Sequence, residues 1–148
     1  MSKATPTASK ILVDGNEVSI QGYNINYNNY FRLRDIAAIL KGTGSAFDVA
    51  YDPNSDIVLV ASKTDYSGSS EPRTEAPTEA DAVLSTQSLV CKYKLQSGGQ
   101  AMYVKMYNIG GYNYCKLRDV GESGSLRFFG VDWDEENNSI LITSLKGN

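Results

Sequence analysis

The chain of 148 residues has no histidine, which removes every imidazole ligand, every His-based catalytic triad and the usual general base at neutral pH. It has only two cysteines, both in its second half, and no pair at metal-binding spacing. No apolar run reaches the 18 or more residues of a membrane span, so no membrane insertion is expected. Residues 1–9 lack the apolar stretch of a secretory signal and read as the tail of a Thr/Pro/Ala/Ser linker. Cations are outnumbered, 14 Lys and Arg against 17 Asp and Glu, and no basic stretch offers phosphate neutralisation, which argues against nucleic acid as a partner. Gly-rich phosphate loops following a strand are missing as well. With paired carboxylates only on turns and linker, no catalytic residue can be named and the chain reads as a non-enzyme without cofactor or metal.

What is present is a phrase written twice. Tyr23-Asn24-Ile25, Asn29-Tyr30 and Leu33-Arg34-Asp35 return as Tyr107-Asn108-Ile109, Asn113-Tyr114 and Leu117-Arg118-Asp119 at the same internal spacing. A period of about 84 residues far exceeds the roughly 20 to 50 of solenoid repeats, so each copy is long enough to enclose a small core. Upstream, Gly15 to Ile20 aligns on Gly99 to Val104. Downstream, Phe47 to Asp52 matches Phe129 to Asp134 at an offset two residues shorter, and Val58-Leu59-Val60 matches Ile140-Leu141-Ile142.

The intervening residues are rich in Ser, Thr, Pro and Glu and cannot bury enough surface to offset their ordering entropy. The expected organisation is a linker tail over 1–9, a first domain over 10–66, a linker over 67–86 and a second domain over 87–148.

Within the first copy, Ile11-Leu12-Val13, the Asp14-Gly15 turn and Glu17 to Tyr23 read as a hairpin. A second turn is expected at Asn28-Asn29, a third strand over Tyr30 to Leu33, and a short helix over Asp35 to Lys41 ending at Gly42. Phe47 to Tyr51 and Ile57 to Ala61 then form a last hairpin. The fold class expected is α+β, two tandem small domains, each an antiparallel sheet of about five strands packed on one short helix. In the second copy, Val120 to Leu126 carries two glycines and two serines, so its helix should be short, frayed or irregular.

Val13-Asp14-Gly15-Asn16-Glu17-Val18, Tyr-Asn-Ile, Asn29 to Ala37 and Phe47 to Asp52 together resemble the N-terminal stalk domain family of copper amine oxidases. The resemblance covers most of residues 10–62 and, less tightly, 89–144. It implies a small antiparallel sheet wrapped on one helix, used as an accessory module in exported and surface-attached bacterial proteins, cell-wall hydrolases among them. Copper and the quinone belong to a separate catalytic domain of those oxidases, so no catalytic residue carries over. The expectation is therefore a non-catalytic accessory or anchoring module of an exported bacterial protein, extracellular or cell-wall associated, with peptidoglycan or wall polysaccharide as partner. The alternative is a protein-interaction or oligomerisation module, a homodimer included.

Arg34-Asp35 and Arg118-Asp119 are read as fold determinants, Asp starting the helix and Arg bonding locally or to sheet carbonyls. The chain has 10 tyrosines. Tyr23, Tyr30, Tyr51, Tyr107, Tyr114 and Trp133 recur in register and read as structural. Tyr27, Tyr103 and Tyr112 do not recur and, with Trp133, are the candidate ligand contacts. The acidic segments Asp52 to Asp56 and Asp132 to Asn138 lack the spacing and central Gly of a calcium loop and read as hairpin turns. Cys91 and Cys115 are expected to face the core, either as a disulfide or as two buried thiols; both readings stand open.

Overall fold

Asp14 and Gly15 adopt left-handed backbone, φ 51° and 86°, and close a two-residue hairpin between paired Val13 and Asn16, the turn that Asp-Gly favours. The same device recurs at Asn26-Tyr27, φ 50° and 69°, and at Gly110-Gly111, φ 61° and 92°. These turns frame the computed structural model, which describes residues 2–7, 10–68, 78–85, 87–93, 100–102, 104–122 and 129–145. In the first copy the elements are β1 (Ser2–Pro6), β2 (Lys10–Val13), β3 (Asn16–Val18), β4 (Gly22–Ile25), β5 (Asn28–Arg32), α1 (Leu33–Ile39), β6 (Phe47–Asp52) and β7 (Ile57–Ser62). The second copy repeats them as β8 (Ala80–Leu84), β9 (Ser88–Tyr93), β10 (Gln100–Met102), β11 (Tyr107–Ile109), β12 (Tyr112–Cys115), α2 (Leu117–Gly121), β13 (Phe129–Asp134) and β14 (Ser139–Ser144).

The expectation of two α+β domains, each with its own sheet and core, is overturned. Among the described residues the chain is mostly β, fourteen strands against two short helices, and every sheet mixes the two copies. Six strands close a barrel in the order β1-β4-β5-β12-β11-β8, and the remaining eight form two four-stranded sheets, β10-β9-β7-β6 and β13-β14-β2-β3. The first copy's opening hairpin lies on the second copy's closing one: β2 runs parallel to β14, Ile11 opposite Ile140 and Val13 opposite Ile142. The converse pairing sets β9 parallel to β7, Leu89 opposite Val58 and Cys91 opposite Val60. Asp14 fastens the exchange, its carboxylate accepting from Ser144 N at 2.8 Å and from Ser144 Oγ at 2.5 Å.

A pseudo-twofold relates the copies. It passes between the equivalent residues Phe31 and Cys115, paired across β5 and β12, and on the opposite side of the barrel between Lys3 and Asp81 across β1 and β8. Lys3 Nζ also pairs with Glu79 Oε1 at 2.9 Å.

Two further expectations change. The long strand read over Glu17 to Tyr23 divides at residues 19–21 into β3 and β4, which belong to different sheets. The lead-in read as a linker tail holds β1, and the segment read as the second linker holds β8 at its end; residues 69–77 of that segment lie outside the described ones.

The barrel lumen contains Ala4, Tyr23, Ile25, Tyr30, Ala82, Tyr107, Ile109 and Tyr114. Tyr23 meets Tyr114 edge-on at 5.4 Å between ring centres, and Tyr30 meets Tyr107 at 5.2 Å. Each pair joins one copy to the other and contributes about 0.5–1.5 kcal/mol beyond its area burial. A second core lies under the two sheets and both helices, where Ile11, Phe31, Ile36, Leu40, Phe47, Val60, Cys91, Cys115, Phe129 and Ile142 form one cluster drawn from both copies.

Candidate functional site

Each helix starts where a barrel strand ends. Arg32, in extended conformation at φ −60° and ψ 131°, turns β5 into α1, and Lys116 does the same for α2. Asp35 lies in the first turn of α1, buried, and neither helix has a side-chain cap bond. Beside each of these corners is a groove of about 300 Å³.

The two grooves are pseudo-symmetric. Groove one is lined by Arg32, Arg34 and Tyr51 of the first copy and by Gln87, Gly111, Tyr112 and Asn113 of the second. Groove two is lined by Lys116, Arg118 and Trp133 of the second copy and by Tyr27, Asn28 and Asn29 of the first. Equivalent positions are Arg32 and Lys116, Arg34 and Arg118, Tyr51 and Trp133, Gly111 and Tyr27, Tyr112 and Asn28, and Asn113 and Asn29. Each groove therefore needs both copies: one supplies the helix start and an aromatic strand, the other a hairpin tip.

In groove one the Arg32 guanidinium lies 3.6 Å from the centre of the Tyr112 ring, a cation–π stack of about 0.5–1 kcal/mol or more when desolvated. Its Nε and Nη2 are shielded from water and donate no hydrogen bond. Arg34 Nη1 donates to the Val49 carbonyl at 3.3 Å, the sheet bond expected of it. A polar chain runs along the wall: Tyr51 OH donates to Asp56 Oδ1 at 2.7 Å, Gln87 Nε2 donates to the same oxygen at 3.2 Å, and Asn113 Nδ2 donates to Gln87 Oε1 at 2.6 Å. The bond to Asp56 raises the Tyr51 phenol above its ordinary pKa and keeps it neutral. Asn113 Oδ1 is shielded and has no partner.

Groove two keeps the architecture and changes the charge. Arg118 is paired with Glu122 at 3.1 Å, and Asp132 stands where groove one has Ala50. Lys116 Nζ lies 5.9 Å from the Tyr30 ring centre. Trp133 is half exposed, and Tyr27 is 98% exposed at the hairpin tip.

Of the candidate contacts, Tyr27 and Trp133 thus come together in groove two, Tyr112 lies in groove one, and Tyr103 falls outside the described residues. Tyr23, Tyr30, Tyr107 and Tyr114 fill the barrel, and Leu33 and Leu117 join the second core. Tyr51, read as structural, is instead 46% exposed and belongs to groove one, and Trp133, read both as structural and as a ligand contact, is 49% exposed in groove two. Arg32, Gln87 and Asn113 were missed; only Asn113 carried a signal, its place in the repeated phrase. Cys91 and Cys115 are two free, buried thiols. The Asp52 and Asp134 segments are hairpin turns in which the carboxylates accept from Asn54 N, Ser55 Oγ and Asn137.

Among the described residues no three of His, Cys, Asp and Glu gather as a ligand set, and no helix is long and apolar enough to cross a membrane. No protein-family model, no curated protein and no solved structure matches the chain. Chemically, the grooves offer exposed aromatic faces beside amides and guanidinium groups, a combination suited to stacking a sugar ring while bonding its substituents.

Proposed function

We propose that the protein is a non-catalytic carbohydrate-binding module, an accessory or anchoring part of an exported, cell-wall-associated bacterial protein, with both grooves as its polysaccharide sites. The observation that carries this reading is the duplication of one groove with an exposed aromatic wall in each, Tyr51 in one and Trp133 in the other. The exposed half of each ring gains nothing from core packing, whereas a sugar's apolar face stacked on it would bury that area. The resemblance to the amine oxidase stalk family supports the cell-wall setting. Sedimentation with purified peptidoglycan and insoluble wall polysaccharide is the test. Retention that falls at least fivefold in the Tyr51→Ala, Trp133→Ala double variant is expected; retention unaltered in that variant, or none in the parent, would count against it.

A further inference from the structure

We infer that the two grooves have diverged in specificity and that groove one selects sugars bearing a carboxylate. This rests on the carbohydrate-binding reading and extends it to ligand charge. Groove one is lined by two arginines, and its nearest carboxylate, Asp56, stands behind the lining and is engaged by Tyr51 and Gln87, whereas in groove two Asp132 joins the lining itself and Glu122 occupies Arg118. The Arg32 Nε and Nη2 hydrogens lie along one edge of the planar guanidinium, at the spacing that matches the two oxygens of a carboxylate. Both donors are shielded and unused. Few arrangements leave two charged donors in that condition unless something else completes them. The position equivalent to Arg32 holds Lys116, a point charge without a fork.

The remaining groups fit the rest of such a ligand. Asn113 Oδ1, shielded and unpartnered, accepts a hydroxyl hydrogen, and the neutral Tyr51 ring offers a stacking face. Tyr112, standing over the guanidinium, follows Gly110 and Gly111, both in left-handed backbone. Binding in this mode requires the Tyr112 ring to swing off the guanidinium; a uronic acid residue then sets its carboxylate on Arg32, a ring hydroxyl on Asn113 and its apolar face on Tyr51.

The experiment titrates the whole chain by calorimetry with oligomers of galacturonic, glucuronic and mannuronic acid and with their methyl esters, which keep the ring and lose the charge. At least one acid should bind tenfold or more tightly than its own ester. Arg32→Gln should bring the two within twofold, Arg32→Lys should keep about a threefold preference, and Lys41→Gln, a cation that lines neither groove, should preserve the full ratio. Equal binding of acid and ester, or a preference that survives Arg32→Gln, overturns the inference while leaving sugar binding in place. Binding of neither form overturns the inference, and the sedimentation assay then decides the carbohydrate reading separately. If Arg32→Gln does not fold, amide shifts of the parent decide: changes specific to the acid must fall on Tyr112 and Asn113, and their appearance at Tyr27 and Trp133 instead would sink the assignment.

Discussion

Tyr27 stands where the second copy has Gly111, and both adopt left-handed backbone, φ 69° for the tyrosine and 92° for the glycine. A bulky residue there costs about 1–2 kcal/mol of backbone strain. Nothing in the core recovers that cost, because the Tyr27 side chain is 98% exposed. Strain of this kind is retained where a side chain is used, which fits its place at the mouth of groove two. Tyr27→Gly should therefore stabilise the fold by up to about 1 kcal/mol after the entropy of glycine is deducted, and weaken binding at groove two. Urea denaturation and polysaccharide retention, measured on the same variant, should move in opposite directions.

The barrel makes a second claim measurable. Tyr23 and Tyr114 come from different copies, so their coupling reports whether the copies share one core. Each single change to Ala should cost about 3–5 kcal/mol. A double-mutant cycle should return a coupling of about 0.5–1.5 kcal/mol, and additivity would mean that the rings do not meet.

The Asp14-Gly15 turn, the alternation and the repeat were legible in the sequence, because each depends on residues close along the chain, whereas the second turn, read at Asn28-Asn29, lies at Asn26-Tyr27 with Asn28 and Asn29 already in β5. Asp14-Gly15 announced its hairpin; α2 is five residues long against seven in α1, while residues 123–126 of the stretch read as a frayed helix lie outside the described ones. Partner choice was not legible. Ile11 reads as a strand residue whether it pairs within its own copy or, as it does, with Ile140. β1 and β8 were hidden for a different reason. Their inward residues, Ala4 and Ala82, are fully buried yet small because four tyrosine rings already occupy the lumen, and Ala is a weak strand signal. The grooves were half visible: Tyr27, Tyr112 and Trp133 stood out as aromatics, whereas Arg32 and Gln87 matter only through a pairing of copies that local pattern does not encode.

Close packing around Gly22 yields a third prediction. A Cβ there would lie 2.5 Å from Phe31 Cε1 and 2.8 Å from the Tyr30 carbonyl oxygen. Phe31 is 1% exposed and has no room to retreat. Gly22→Ala should cost about 1–3 kcal/mol through overpacking. Gly130→Ala, whose nearest neighbour would be Thr143 at 3.9 Å, should stay within about 0.5 kcal/mol of the parent. Equal urea midpoints for the two variants would contradict this packing.

Cys115 links the core to alkaline pH. Burial pushes its thiol well above the ordinary value of 9.0, with the Asp119 charge adding to the effect. The native state then keeps its proton while the unfolded thiol loses one, so stability is intact below pH 9.0 and falls as pH rises above it. The loss attributable to this group should be about 1.4 kcal/mol per pH unit until the native thiol ionises. Burial raises Cys91 and Tyr30 in the same direction, so Cys115→Ala should flatten the alkaline slope without abolishing it. Thermal midpoints between pH 8 and 10.5 measure both slopes. In the native protein a thiol reagent should label neither cysteine at neutral pH, since both thiols are buried and protonated.

The exchange of hairpins between copies bears on what a single copy can do. A chain ending near residue 66 would keep β2 and β7 but lose their parallel partners β14 and β9, and it would retain only three of the six barrel strands. It would leave Ile11, Val13, Val58 and Val60 without the strands that extend their sheets, and Tyr23 and Tyr30 without the rings they abut. Buried area lost on that scale exceeds the 5–15 kcal/mol margin of a typical domain. Residues 1–66 and 78–148 made separately should each show little cooperative unfolding, and mixing them should restore a native circular dichroism spectrum and a sharp thermal transition. Two fragments that fold cooperatively alone and ignore one another would disprove the shared barrel. Restoration should also return both grooves together, because neither copy holds all the residues of either one.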